Sequence, residues 1–147
     1  MALKEKLLND MKDAMREKDS IRKNTIQMVR AGILQVEKDD KVELNDDEII
    51  GVIVKELKKR KDALTEFEKS GRQDLIDNLN REIVVLSAYL PEQLSEDELR
   101  KIVLEKVAEV GATSKSDIGL VMKAVLPVIK GKADGKDVNR LLSQILN

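Results

Sequence analysis

The sequence predicts an all-α protein: an N-terminal four-helix antiparallel array followed by a small three-helix C-terminal domain. Three observations predict it. Apolar residues recur at three- and four-residue spacings along nearly the whole chain, and no stretch alternates with the two-residue period of a strand. Aromatics are nearly absent, Phe67 and Tyr89 alone, so the core is built from Leu, Ile, Val, Met and Ala, which suits helix–helix seams. Charged residues make up 37% against 41% hydrophobic, the balance of long helices with one solvated face.

In the first expected helix, residues 3–18, Leu3, Leu7, Met11, Ala14 and Met15 share a face. Asp19 and Ser20 offer a cap for the second, residues 21–38, striped by Ile21, Thr25, Met28, Val29, Ile33 and Val36. Gly32 inside it costs about 1 kcal/mol of helix propensity, which close packing against a neighbouring helix explains. Residues 39–44 read as a polar connection. Asn45, with Glu48 at the capping-box position, opens a third helix that runs to about Lys69 and carries Ile49, Ile50, Val52, Ile53, Leu57, Leu64 and Phe67. Ser70-Gly71 is its left-handed stop. The fourth helix, residues 72–90, follows at once and makes an antiparallel hairpin with the third.

Pro91 cannot donate a backbone hydrogen bond and pushes Leu90 out of helical geometry. Ser95 followed by Glu98 is a capping box, so a new helix starts immediately. The expected domains are therefore residues 1–90, a hinge at 91–95, and residues 96–147. Leu99, Ile102, Val103, Val107 and Val110 stripe the fifth helix, and Gly111 stops it. Thr113, Ser114 and Ser116 are candidate caps for a sixth, which carries Ile118, Val121, Met122, Val125 and Ile129, and which Pro127 is expected to kink or split. Asp134 caps the seventh, buried through Val138, Leu141, Leu142 and Ile145.

The chain has no Cys and no His. That removes disulfides, thiolate metal sites, Ser-His-Asp and Cys-His nucleophiles and the usual zinc ligand sets. No catalytic residue, cofactor or metal site is expected. No apolar run approaches the roughly 18 residues of a membrane span, and the N-terminus lacks a signal-peptide core, so no membrane partner is expected and the expected location is the cytoplasm.

Net charge is −1, but it is unevenly spread. Residues 91–110 hold six acids against three bases. Residues 111–147 hold Lys115, Lys123, Lys130, Lys132, Lys136 and Arg140 against three acids. Those six bases are the candidate nucleic-acid-binding residues. Lys130-Gly131-Lys132-Ala133-Asp134-Gly135-Lys136 concentrates three of them before a helix N-terminus, where free N–H groups and the helix dipole favour phosphate. It also reads as an ordinary turn whose anion position Asp134 fills; it is no Walker A loop. The tail has no aromatic rings on which to stack unpaired bases, so any RNA would be read through phosphates and shape. Elsewhere, Lys55, Lys58, Lys59, Arg60 and Lys61 interleave with acids and read as a solvated helix face. Glu92, Glu96, Asp97 and Glu98 suit the first turn of a helix, and Ser114-Lys115-Ser116 reads as capping, not as a nucleophile pair.

Several phrases together resemble the YqeY family: residues Tyr89 to Leu99, Gly111 to Gly119, Lys130 to Gly135, and Glu56 to Ala63. The resemblance covers essentially the whole chain. The family's C-terminal part is similar to the tail domain of GatB, a subunit of the tRNA-dependent amidotransferase. The resemblance implies an all-helical, two-part protein whose smaller domain binds tRNA, and a family label of carbon–nitrogen ligase with glutamine as amido-N-donor. Phosphorylation and amide transfer belong to other parts of the amidotransferase, and nothing in this chain looks like its ATP-using cradle or a glutaminase. The expected function is thus a tRNA-binding accessory protein, not catalytic alone. The alternatives are an accessory amidotransferase-type subunit working with aminoacyl-tRNA machinery, and a protein–protein adaptor that docks through the hairpin of residues 46–90.

Overall fold

A computed structural model describes residues 2–147, and among them every regular element is helical: α1 Leu3–Arg16, α2 Ser20–Asp40, α3 Asp46–Ser70, α4 Gln73–Ser87, α5 Glu96–Val110, α6 Ile118–Ile129 and α7 Gly135–Ile145, with a 3₁₀ turn at Lys115–Asp117. The chain divides into two units, residues 1–90 and 91–147. Each has its own buried cluster.

The helix starts follow local capping chemistry. The Asp19 carboxylate accepts from the N–H of Arg22 at 3.1 Å. Asn45 and Glu48 exchange side-chain and backbone hydrogen bonds at 2.9 and 3.2 Å, satisfying two donors that the first turn of α3 leaves open. Gly71, at φ +71°, ends α3 by donating to the Phe67 carbonyl. The end of α2 is less usual, because Lys41 takes the left-handed conformation at φ 54°.

In the N-terminal unit, Leu7 of α1, Ile26, Val29 and Ile33 of α2, Ile49, Ile53 and Leu57 of α3 and Leu86 of α4 form the core. Met15 and Met28, read from spacing as stripe residues, are instead more than half exposed. They sit at the edges of their stripes, where small rotations of the helix decide burial. Leu44 departs the other way. It lies in the connection after α2 yet is buried, because its N–H donates to the Glu37 carboxylate, which also holds Lys4 at 2.6 Å. Those two partners hold the Glu37 carboxyl below its ordinary range. Gly32 has the packing reason its position suggests: a Cβ there would stand 3.3 Å from Val52 Cγ1 of α3.

Arg60 is not on the solvated face. It is 6% exposed and binds Glu56 Oε2 at 2.7 Å, Glu82 Oε1 of α4 at 3.3 Å and Met28 Sδ of α2 at 3.3 Å. A charge this deep is tolerated because its donors meet acceptors on three helices.

Tyr89 closes the N-terminal unit. Its hydroxyl donates to Asp10 Oδ2 at 2.5 Å, Lys6 lies 5.5 Å from its ring centroid, and Lys6 and Arg22 approach the same carboxylate. Burial alone would raise the Asp10 carboxyl, but the bonds from Tyr89 and Lys6 and the two cations outweigh it and hold it low. Burial first, then the bonded carboxylate, push the phenol well above its ordinary value of 10.0. A raised acid keeps its proton in the folded state after the unfolded state has lost it. Its stabilisation is therefore full below pH 10 and lost as pH rises beyond. Tyr89→Phe is expected to cost about 1 kcal/mol at neutral pH and to flatten the loss of urea resistance above pH 10. Tyr89 is the lone tyrosine, so its absorbance titration reads the same shift directly. An ordinary titration midpoint would refute it.

In the C-terminal unit, Leu99 and Val103 of α5, Val121, Val125 and Ile129 of α6, and Val138, Leu141 and Leu142 of α7 make the core, with Leu146 behind them. The Ser95–Glu98 capping box forms at 3.1 and 3.2 Å. Pro127 does not split its helix: α6 runs through it to Ile129. Pro127 lies in the final turn, so its missing N–H removes one bond, to the carbonyl of exposed Lys123, and little helix follows for its ring to disturb.

Candidate nucleic-acid interface

The turn between α6 and α7 is held by the chain that precedes α5. Gly131 is buried at φ +76°, a conformation glycine adopts without strain. The N–H groups of Lys132 and Ala133 both donate to the Ile129 carbonyl, at 2.7 and 3.1 Å. Leu94 then donates its N–H to the Lys132 carbonyl at 2.9 Å, and Gln93 Nε2 donates to the Gly131 carbonyl at 2.7 Å. Residues 93 and 94 thus belong structurally to the C-terminal unit, and two of the distinctive phrases of the sequence are hydrogen-bonded to each other. The backbone of the turn faces inward and its lysine side chains face water.

Lys130 and Lys132 are exposed, and no hydrogen bond or ion pair engages their ammonium groups among the described residues. Lys136, also exposed, is the second residue of α7. The Asp134 carboxylate caps that helix by accepting from the Lys136 N–H at 3.0 Å. The helix N-terminus therefore already holds an anion of its own, and the ammonium groups, not the N–H groups, are what the turn offers a phosphate.

The other three predicted bases are spread out. Lys123 lies on the exposed side of α6, seven residues or about 10 Å along the axis from Lys130. Lys115 lies at the far end of α6, where its N–H donates to the Asn147 carbonyl at 3.0 Å. Arg140 is engaged: its Nη2 stands 2.6 Å from Glu96 of α5 and 3.7 Å from Asp137. Lys115, Lys123, Lys130 and Lys132 thus follow one another along α6 and its flanking turns, while Lys136 and Arg140 lie on α7, with Arg140 tied into an ion pair.

Two residues outside the predicted set shape this surface. Gln93 ties the turn down. Asp117 organises the entry to α6 by accepting from the N–H groups of Thr113 at 2.9 Å and Ser114 at 3.3 Å, which hold its carboxyl below the usual range. The Ser114 and Ser116 hydroxyls bond to each other at 2.7 Å. Glu96 and Glu98 are occupied by Arg140 and the Ser95 box. Among the described residues no cluster of three acids is placed to hold a metal ion, and no helix is long and apolar enough to cross a membrane.

These features define an all-helical protein of two units whose smaller unit presents a row of exposed lysines. The chain belongs to the YqeY family: the family description "Yqey-like protein" matches residues 4–146. Among its relatives is "Altered inheritance of mitochondria protein 41, mitochondrial" of Pyrenophora tritici-repentis, 31% identical over 96% of this chain and 79% of that protein. The protein of the same name in Kluyveromyces lactis is 38% identical over 56% of this chain and 45% of its own length. An uncharacterized protein of Schizosaccharomyces pombe is 33% identical over 63% of this chain and 72% of its own length.

Proposed function

We propose that the protein is a tRNA-binding accessory factor related to the tail of the tRNA-dependent amidotransferase and not catalytic alone. Its C-terminal unit grips RNA phosphates through Lys130, Lys132 and Lys136, with Lys123 and Lys115 extending the contact along α6. The observation that carries the reading is the turn itself. Its backbone is locked by Gln93 and Leu94, while Lys130 and Lys132 are left exposed and unengaged. A rigid base with free cations suits recognition of a structured RNA by charge and shape. With no His or Cys in the chain, common nucleophilic machinery is lacking, so the role in amidation or another aminoacyl-tRNA step is assistance. The cytoplasmic location is part of this proposal; the relatives whose names refer to mitochondria suit the same role in that organelle.

The test is a tRNA titration at low and moderate salt. The phosphate contacts of Lys130, Lys132 and Lys136 predict that log affinity falls with log salt with a slope of about −3, which Lys123 and Lys115 steepen. The Lys130→Glu, Lys132→Glu, Lys136→Glu triple variant is expected to lose at least about tenfold in affinity and most of that slope. Binding that survives intact in the triple variant sinks the assignment. The hairpin-adaptor alternative gains little from the fold. Ile49, Ile53, Leu57 and Leu86 are buried within the unit, and Val84 is the large apolar side chain of α3 and α4 that stands well exposed.

A further inference from the structure

We propose that the exposed face of α6 docks an acidic amphipathic helix of a partner protein. The observation is a conflict between the composition of α6 and its position. Among its twelve residues Lys123 is the one charge. A helix this apolar is normally enclosed on all sides. Here one face, Val121, Val125 and Ile129, is fully buried. On the other side Leu120, Leu126 and Val128 are 52%, 44% and 42% exposed. Leu120, Ala124 and Pro127 follow one another at helical spacings of four and three, with Val128 on one side of them and Lys123 and Leu126 on the other. They form an apolar stripe about 12 Å long with Lys123 beside it.

The charges around the stripe say what covers it. Lys115 stands before its start, Lys123 within it, and Lys130 and Lys132 beyond its end, all exposed. None of the four is engaged by an acid among the described residues, and α6 carries no carboxylate. An apolar strip edged by one sign of charge along its length is complementary to a helix with leucine-type anchors flanked by Glu or Asp. RNA fits this strip poorly. Phosphates gain nothing from Leu120, Leu126 or Val128, and no aromatic ring is present on which a base could stack. A lipid surface fits it poorly too: interfacial helices use a broad apolar face, often with Trp or Phe, and half of this helix is committed to the core. The inference shares Lys115, Lys123, Lys130 and Lys132 with the tRNA reading, but it is carried by Leu120, Leu126 and Val128, which that reading does not use.

The experiment selects binders to the full-length protein from two display libraries of sixteen-residue amphipathic helices. Both carry Leu, Ile or Met on one face; one is flanked by Glu and Asp, the other by Lys and Arg. The acidic library is expected to enrich and the basic one not. Enriched peptides are expected to lose about tenfold or more in affinity for Leu120→Asp and for Leu126→Asp, and several-fold for Lys123→Glu. Leu120→Ser, a milder change at an exposed position, guards against misfolding, with helix content checked by circular dichroism. Failure of the acidic library, equal enrichment of both, or binding indifferent to the α6 variants overturns the proposal. The same variants are titrated with anionic phospholipid vesicles and with tRNA. Loss of either interaction on Leu120→Ser gives the face to lipid or to RNA and also overturns it. The Lys130, Lys132, Lys136 triple variant is expected to weaken the peptides several-fold, as Lys123→Glu does, while Leu120→Ser weakens the peptides and leaves tRNA affinity unchanged, which separates the two readings.

Discussion

Arg60→Met is expected to destabilise the N-terminal unit by about 3 kcal/mol. The substitution keeps the volume and length of the side chain. What it removes is the guanidinium bonded to Glu56 Oε2 at 2.7 Å, to the Glu56 carbonyl at 3.0 Å and to Glu82 at 3.3 Å. Glu56, 9% exposed, would then keep Lys59 at 3.7 Å as its cation, a longer contact from an exposed side chain. The cost arises less from the lost bonds than from a carboxylate left in a poorly hydrated place. The double variant Glu56→Leu, Arg60→Met is therefore expected to recover most of the loss, because it removes both charges together. Urea unfolding of the two single variants and the double closes the cycle. If Arg60→Met alone is neutral, or if the double variant is as unstable as the single, the pair does not matter as its geometry indicates.

Arg60 also shows where sequence reading reaches and where it stops. It sits three residues after Leu57 and seven after Ile53, on the buried stripe of α3, so the periodicity marks it. The lysines around it mask the signal, because a dense basic run suggests a solvated face. The caps at Asn45, Ser95 and Asp134 are legible because capping is decided within four residues. Burial of Leu44 is not, since it depends on Glu37 accepting its N–H across a turn. In the candidate site the lysines and their exposure follow from composition and spacing. Their support does not. Nothing local marks Gln93 as the donor to Gly131, thirty-eight residues away, and nothing local says that Arg140 meets Glu96. Pro127 does not split α6, because it stands in the last turn, where the missing bond costs little.

Leu142→Ala is expected to cost about 3 kcal/mol and to take the C-terminal unit close to its unfolding threshold. Leu142 is fully buried among Leu99, Val103, Val125 and Ile129, and truncation leaves a cavity that three short helices cannot easily close. A unit this small has a single core and no cysteine from which to make a disulfide, and a margin of about 3–5 kcal/mol is typical. The same residue matters for the surface. α7 holds α6 in place, the Ile129 carbonyl at the end of α6 anchors the N–H groups of Lys132 and Ala133, and Gly135 at the start of α7 lies against Leu126. Losing the α7 contact therefore loosens the lysine turn and the α6 stripe together. Amide hydrogen exchange is expected to show protection lost across α5, α6 and α7, with RNA affinity falling although no lysine has changed. The exposed control Ser143→Ala, one residue along the same helix, is expected to alter neither. If Leu142→Ala leaves protection in α6 unchanged, the helices of this unit do not depend on one another as their shared core implies.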